Sequence, residues 1–300
     1  MGAQHLLGRP WLAAAALILS GLGSIGCGSS TGQGIGGTSG TGGAGGAAGQ
    51  ASSGGQSGGA GSGNAGAGGA GGSAAGQSGS QSCTSPAYTL PLNPSNAQDG
   101  VTLSGFYVDT DTWNVAKYTV SQTMYICDYD NWYVVAKMDD AMGDGAVKTY
   151  PDVHMDFNAA PAVSSFSAIS SSFAHAGPHV GIYEFAYDMW LDGVADTSSI
   201  EVMIWTDNYN QVPSGAKQET FTSGGQTYQV WKAGNYIAFV DMNNVSSGTL
   251  DLLAFFNHVI AKGWAPANAT LGAIDYGVEL VSTNGADATF SVTGFSLTTN

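Results

Sequence analysis

Residues 83–300 predict an all-β fold, a sandwich or curved two-sheet roll carrying one helix. Three observations support this. Short alternating or β-branched runs recur along the stretch, as half-buried strands do. Gly, Asn, Asp, Ser and Pro punctuate them at the spacing of sandwich turns. One segment alone changes to a helical period.

In chain order the runs are YTVSQTMYIC (118–127), NWYVVAKM (131–138), VGIYEFAYDMWL (180–191), SIEVMIW (199–205), QTYQVWK (226–232), NYIAFVDM (235–242), LGAIDYGVELV (271–281) and ATFSVTGFSL (288–297). Between the sixth and seventh, LDLLAFFNHVIAKG (250–263) sets Leu252, Phe255, Phe256, Val259 and Ile260 on one helical face and stops at Gly263, which predicts an amphipathic helix packed on a sheet. Side chains alternate along a strand, so Ile200, Val202 and Ile204 oppose Glu201, Met203 and Trp205. Tyr183, Phe185, Tyr187 and Met189 oppose Glu184, Ala186, Asp188 and Trp190, and Ile274, Tyr276, Val278 and Leu280 oppose Asp275, Gly277 and Glu279. Each of these strands therefore has one apolar face and one face mixing carboxylates with rings or small residues. Large apolar groups beside Glu201 suggest a groove rather than plain surface.

Upstream, residues 1–26 hold one charge past the start, Arg9, then an apolar run from Trp11 to Leu19 and small residues to Gly26. That is the layout of a signal peptide, and the run is short for a membrane span. Ser24-Ile25-Gly26-Cys27 resembles a bacterial lipoprotein cleavage box, which makes Cys27 the expected lipidation site. Residues 27–82 are almost all Gly, Ala, Ser, Thr and Gln, a disordered linker with a reach of about 40 Å. The chain is expected to be exported, as a cell-envelope lipoprotein or a secreted extracellular protein. Cys83 and Cys127 then remain as an even pair in an oxidising compartment and are expected to form a disulfide.

All 22 acidic residues lie beyond residue 98, against six lysines and no arginine in residues 83–300, a formal charge of −16. Nucleic acids and anionic ligands need basic patches and are not expected as partners. A neutral polysaccharide meets no such penalty. His175 and His179 are separated by Ala-Gly-Pro, which removes helical spacing, so no metal site and no cofactor are predicted.

Two carboxylates flanking an aromatic-lined cleft are the equipment for cleaving a glycosidic bond, and Glu201 and Glu279 are the candidates. The run Glu201-Val202-Met203-Ile204-Trp205 followed by Val212-Pro213-Ser214-Gly215 resembles the nucleophile strand of glycoside hydrolase family 12. Ala186-Tyr187-Asp188-Met189-Trp190-Leu191 is similar to that family's Tyr-Asp strand, and Gly145-Ala146-Val147-Lys148-Thr149-Tyr150-Pro151 to its Val-Lys-Ser-Tyr-Pro segment. Tyr276-Gly277-Val278-Glu279 falls where the family has its acid/base glutamate, and Cys83 with Cys127 matches a disulfide pair of its bacterial members. The likeness runs in order through residues 83–300.

The resemblance implies a jelly roll of two curved antiparallel sheets with substrate across the concave one. It implies a retaining endo-hydrolase of β-1,4-glucans: cellulose, mixed-linkage β-glucan or xyloglucan; the protein is expected to be a monomer. Glu201 would be the nucleophile, Glu279 the acid/base and Asp188 a partner of Glu201, with Trp113, Met203 and Trp205 along the cleft. Two departures stand out. Thr110-Asp111-Thr112-Trp113-Asn114 keeps the tryptophan of the family's Asn-Asn-x-Trp-Gly segment but replaces its asparagines, and Leu280 follows Glu279 where small residues or proline are commoner. The competing reading is a non-catalytic polysaccharide-binding surface lipoprotein, since jelly rolls host many binding modules.

Overall fold

The computed structural model describes residues 83–300. The signal, lipidation and linker expectations for residues 1–82 lie outside the described residues. In chain order the strands are β1 (Tyr88–Pro91), β2 (Gly100–Leu103), β3 (Phe106–Asp109), β4 (Val120–Asp128), β5 (Asn131–Met138), β6 (Asp152–Asp156), β7 (Ile169–Ala176) and β8 (Ile182–Leu191). They continue with β9 (Ile200–Tyr209), β10 (Ala216–Ser223), β11 (Gln226–Ala233), β12 (Tyr236–Asp241), β13 (Ser247–Asp251), β14 (Leu271–Ser282) and β15 (Ala288–Thr299). The helix α1 (Leu252–Ala261) stands between β13 and β14.

Two sheets form a sandwich. One runs β1-β4-β5-β15-β7-β13, and the other β10-β11-β12-β9-β8-β14-β6-β3-β2. Pairing is antiparallel except between β12 and β9, which run parallel with Tyr236 opposite Glu201. The inward faces supply one large apolar core, including Trp132 and Phe290 from the smaller sheet and Phe185, Tyr187, Ile204, Phe239 and Tyr276 from the larger. The predicted alternation holds in β8, β9 and β14, whose apolar parity enters that core. The hairpin between β10 and β11 turns at Gly224 and Gly225, with φ of 58° and 83°, the doubly left-handed geometry that glycine supplies without a Cβ clash.

The helix begins where predicted, with the Asp251 side chain accepting a hydrogen bond from the Ala254 amide at 3.2 Å, an N-cap contact. It ends before Gly263 at φ 69°. Leu252, Phe255, Phe256 and Val259 are buried, and Phe255 meets Phe221, Tyr228 and Phe239 edge-on. Glu219 lies in β10 and binds His258 and Lys262 of the helix end. Cys83 and Cys127 form the expected disulfide, tying the start of the domain to β4.

Candidate active site

Three adjacent strands at the centre of the larger sheet, β9, β8 and β14, build the site. Trp190 of β8 pairs with Glu201 of β9, and Asp188 with Met203. On its other edge β8 sets Asp188 opposite Asp275 and Glu184 opposite Glu279 of β14. The face away from the core therefore holds five carboxylates: Glu184, Asp188, Glu201, Asp275 and Glu279. Glu184, Asp188 and Asp275 are buried, whereas Glu201 and Glu279 are partly exposed. The two glutamates singled out in the sequence are the two that solvent reaches.

Both line one open pocket, together with Asp111, Trp113, Tyr150, Asp188 and Trp190. The β8 partners of Glu201 and Glu279 are six positions apart, about 20 Å along a straight strand. Sharing one pocket requires the sheet to curve over that stretch and turn its carboxylate face inward.

The rim comes from loops. Asp111 sits at φ 20°, and its carbonyl accepts the Tyr150 amide at 2.8 Å, which holds the Trp113 segment beside β14. The Tyr150 hydroxyl donates to the Ala186 carbonyl at 3.0 Å. Its approach depends on Gly277, where a Cβ would lie 2.2 Å from the Pro151 carbonyl oxygen.

Of the expected substrate-binding residues, Asp188 and Trp113 line the pocket, while Met203 and Trp205 lie outside its lining. Met203 and Trp205 are buried with Ala186 and Ala238, and the Trp205 indole N–H points at the Met203 sulfur at 3.4 Å. Sequence reasoning did not assign Asp111, Tyr150 or Trp190 to the site. Trp190 shares its parity with Asp188 and was accessible to the alternation argument, whereas Asp111 and Tyr150 sit in loops without a period.

The crowding governs protonation. Burial first, then the Glu279 charge, pushes Glu201 up to about 8. Burial raises Glu279 as well, but a hydrogen bond with Glu184 opposes that rise. Asp188 lies well above the carboxylate range through burial and the charges of Glu201, Asp275, Glu279 and Asp152. Glu184 is raised well by burial and by Glu279. Carboxylates packed this closely titrate as a group, and one can hold a proton beside another that is ionised.

A separate set could hold a cation. Asp109, Asp152 and His154 bring one ligand atom each to within 4.8 Å of one another, and the His154 Nδ1 lies 2.7 Å from Asp152. His175 and His179 form no such set. His175 is packed in the core, its Nδ1 2.7 Å from the Tyr276 hydroxyl, and His179 lies beyond β7 at φ 53°.

Comparison with known proteins gives the class, a glycoside hydrolase. The family model for glycosyl hydrolase family 12 matches residues 104–300, and the chain belongs to that family. Endoglucanase S of Pectobacterium parmentieri is 25% identical over 138 residues, 41% of this chain and 52% of that protein. The match thus spans about half of that relative's length. Xyloglucan-specific endo-beta-1,4-glucanase A of Aspergillus niger is 26% identical over 167 residues, 52% of this chain and 68% of that protein. Among solved structures, the native family 12 xyloglucanase from Bacillus licheniformis is similar with a TM-score of 0.61 at 19% identity, over 71% of this chain and 100% of that one. The xyloglucanase domain of NopAA, a type three effector from Sinorhizobium fredii in complex with cellobiose, gives 0.59 at 21%, over 72% and 100%. At these identities the two structures establish the fold. No helix among the described residues is long and apolar enough to cross a membrane.

Proposed function

We propose that this chain is a retaining, endo-acting hydrolase of β-1,4-glucosidic bonds in cellulose, mixed-linkage β-glucan or xyloglucan. The observation that carries the reading is that Glu201 and Glu279 line one pocket and are partly exposed, while the other carboxylates of that face are buried. In this reading Glu201 attacks the anomeric carbon as Glu279 protonates the leaving oxygen. Water then displaces the glucosyl ester with Glu279 as base, which restores both groups. Asp188, buried beside Glu201 and kept neutral by its surroundings, favours the ionised nucleophile over a second adjacent charge. Trp113 and Trp190 line the pocket, and sugar C–H faces pack on such rings. Met203 and Trp205, on the same face of β9 as Glu201, are buried beside it and support the nucleophile strand. The formal charge of −16 over residues 83–300 suits a neutral polymer. Export, with the lipid anchor at Cys27, would place the enzyme where such polymers occur.

Reducing-sugar release from the three glucans tests the reading. The full chain cuts at least one, and Glu201→Gln and Glu279→Gln each lower the rate by about 10³-fold or more, in line with losses of central catalytic groups. A folded parent that binds the glucans and cuts none would instead be a binding module.

A further inference from the structure

A buried carboxyl that this mechanism leaves unused lies beside the acid/base. Glu184 pairs directly with Glu279 across β8 and β14, a position that sets Cβ atoms about 4.5–5.5 Å apart on the same face. Glu184 is 0% exposed. Neither of its carboxyl oxygens receives a hydrogen bond from an N–H or O–H of another residue, and the Glu279 carboxyl is within hydrogen-bonding reach. The other titratable groups facing the pair are Asp188 on β8, Glu201 on β9, Tyr236 on β12 and Tyr150 ahead of β6. All are acids. No ion pair among the described residues brings a cation to either glutamate.

Two carboxylates in contact without a cation do not both ionise, so the pair meets with a proton between its oxygens. The fully buried member keeps that proton, because charge is costliest where water does not reach. Glu279, partly exposed, is the member left to ionise.

We propose that Glu184 is the positioning residue of the acid/base: held as a neutral carboxylic acid, it donates one hydrogen bond to the Glu279 carboxylate. This rests on the reading of Glu279 as acid/base. When Glu279 gives its proton to the leaving oxygen, the new carboxylate is stabilised by the Glu184 O–H, whose proton stays on Glu184. Glu279 is then fixed in place to take a proton from water. Glu184 itself touches neither sugar nor water.

The chain has only four glutamates, Glu184, Glu201, Glu219 and Glu279, which makes a direct test practical. Glutamate labelled with carbon-13 at the side-chain carboxyl gives four resonances in the full chain, each assigned by a Glu→Gln variant. The Glu184 resonance is expected to stay at the neutral-acid position between about pH 4 and 8, the span in which an ordinary glutamate ionises. In Glu184→Ala the Glu279 midpoint rises by about one unit, a tenfold tighter hold on its proton, and the alkaline limb of kcat/KM moves up with it. Glu184→Gln, whose amide still donates, restores both to the wild-type position. Glu184 ionising before Glu279 overturns the proposal, as does a Glu279 midpoint that falls in Glu184→Gln because a negative charge was lost. A merely structural role lowers Tm in Glu184→Ala with both midpoints unmoved, and also overturns it. If the titrations behave as expected but the folded chain cuts no glucan, the carboxyl pair stands and the hydrolase reading fails.

Discussion

Double displacement needs Glu201 ionised while Glu279 holds a proton, yet burial and Glu279 push Glu201 up to about 8. The two requirements agree if the pair carries one negative charge between them, because ionising either glutamate raises the other. A specific expectation follows at this scale: Glu279→Gln removes the neighbouring charge, so the Glu201 midpoint falls. Carboxyl resonances followed against pH check it, and an unchanged midpoint would mean that the two side chains do not sense each other. Trp113 is the other residue whose role is separable. Trp113→Ala should reduce kcat/KM about tenfold, mainly through KM, consistent with a ring contact worth about 0.5–1.5 kcal/mol. Initial rates on a soluble glucan decide it, and equal KM values would remove Trp113 from the substrate path.

At the scale of elements, the site depends on how closely the Tyr150 segment lies against β14. A methyl group at Gly277 would sit 2.2 Å from the Pro151 carbonyl oxygen and 2.7 Å from the Asp152 Cβ. Backbone cannot yield that distance cheaply, so Gly277→Ala is expected to push residues 150–152 outward, free the Tyr150 hydroxyl from Ala186 and cost about 1–3 kcal/mol, the range of overpacking. Thermal unfolding read beside kcat/KM tests this, and wild-type values for both would refute it.

The strands that frame the site were legible because their alternation is clean. Glu201, Asp188 and Glu279 stand on the face that parity assigns them. Parity does not say how deeply a face is covered, so Met203 and Trp205 read as cleft residues although β12 packs against their strand and Ala238 and Tyr236 pack on them. β7 escaped notice because serine occupies its inward parity. Ser171 bonds the Tyr187 hydroxyl at 2.8 Å and the Ser296 carbonyl at 2.6 Å, which hides an apolar period. β10 is an edge strand with several exposed polar residues, so its sequence resembles a loop.

For the whole molecule, a buried acidic face makes stability depend on pH in a fixed direction. Groups raised by folding bind more protons in the native than in the unfolded chain, so stability falls as pH rises. For Glu201 the window runs from the ordinary glutamate value up to about 8. Tm should therefore drop between about pH 5 and 8, and Glu201→Gln should flatten the drop, raising Tm at the alkaline end by roughly 2–4 °C per kcal/mol relieved. Calorimetry across that range checks it, and a Tm that rises with pH would contradict the buried-proton account. The Cys83–Cys127 bond closes a separation of 44 residues, so replacing both cysteines by serine should cost about 2–4 kcal/mol, seen as a lower unfolding midpoint.

The central claim is that Glu201 and Glu279 act together as nucleophile and acid/base on a β-glucan. Proton NMR of the anomeric hydrogens during the first minutes of hydrolysis tests it most directly. Two displacements at one carbon give the β-anomer first, with the α-anomer growing in only by mutarotation. An α-anomer appearing first would show single displacement by water and contradict the role assigned to Glu201.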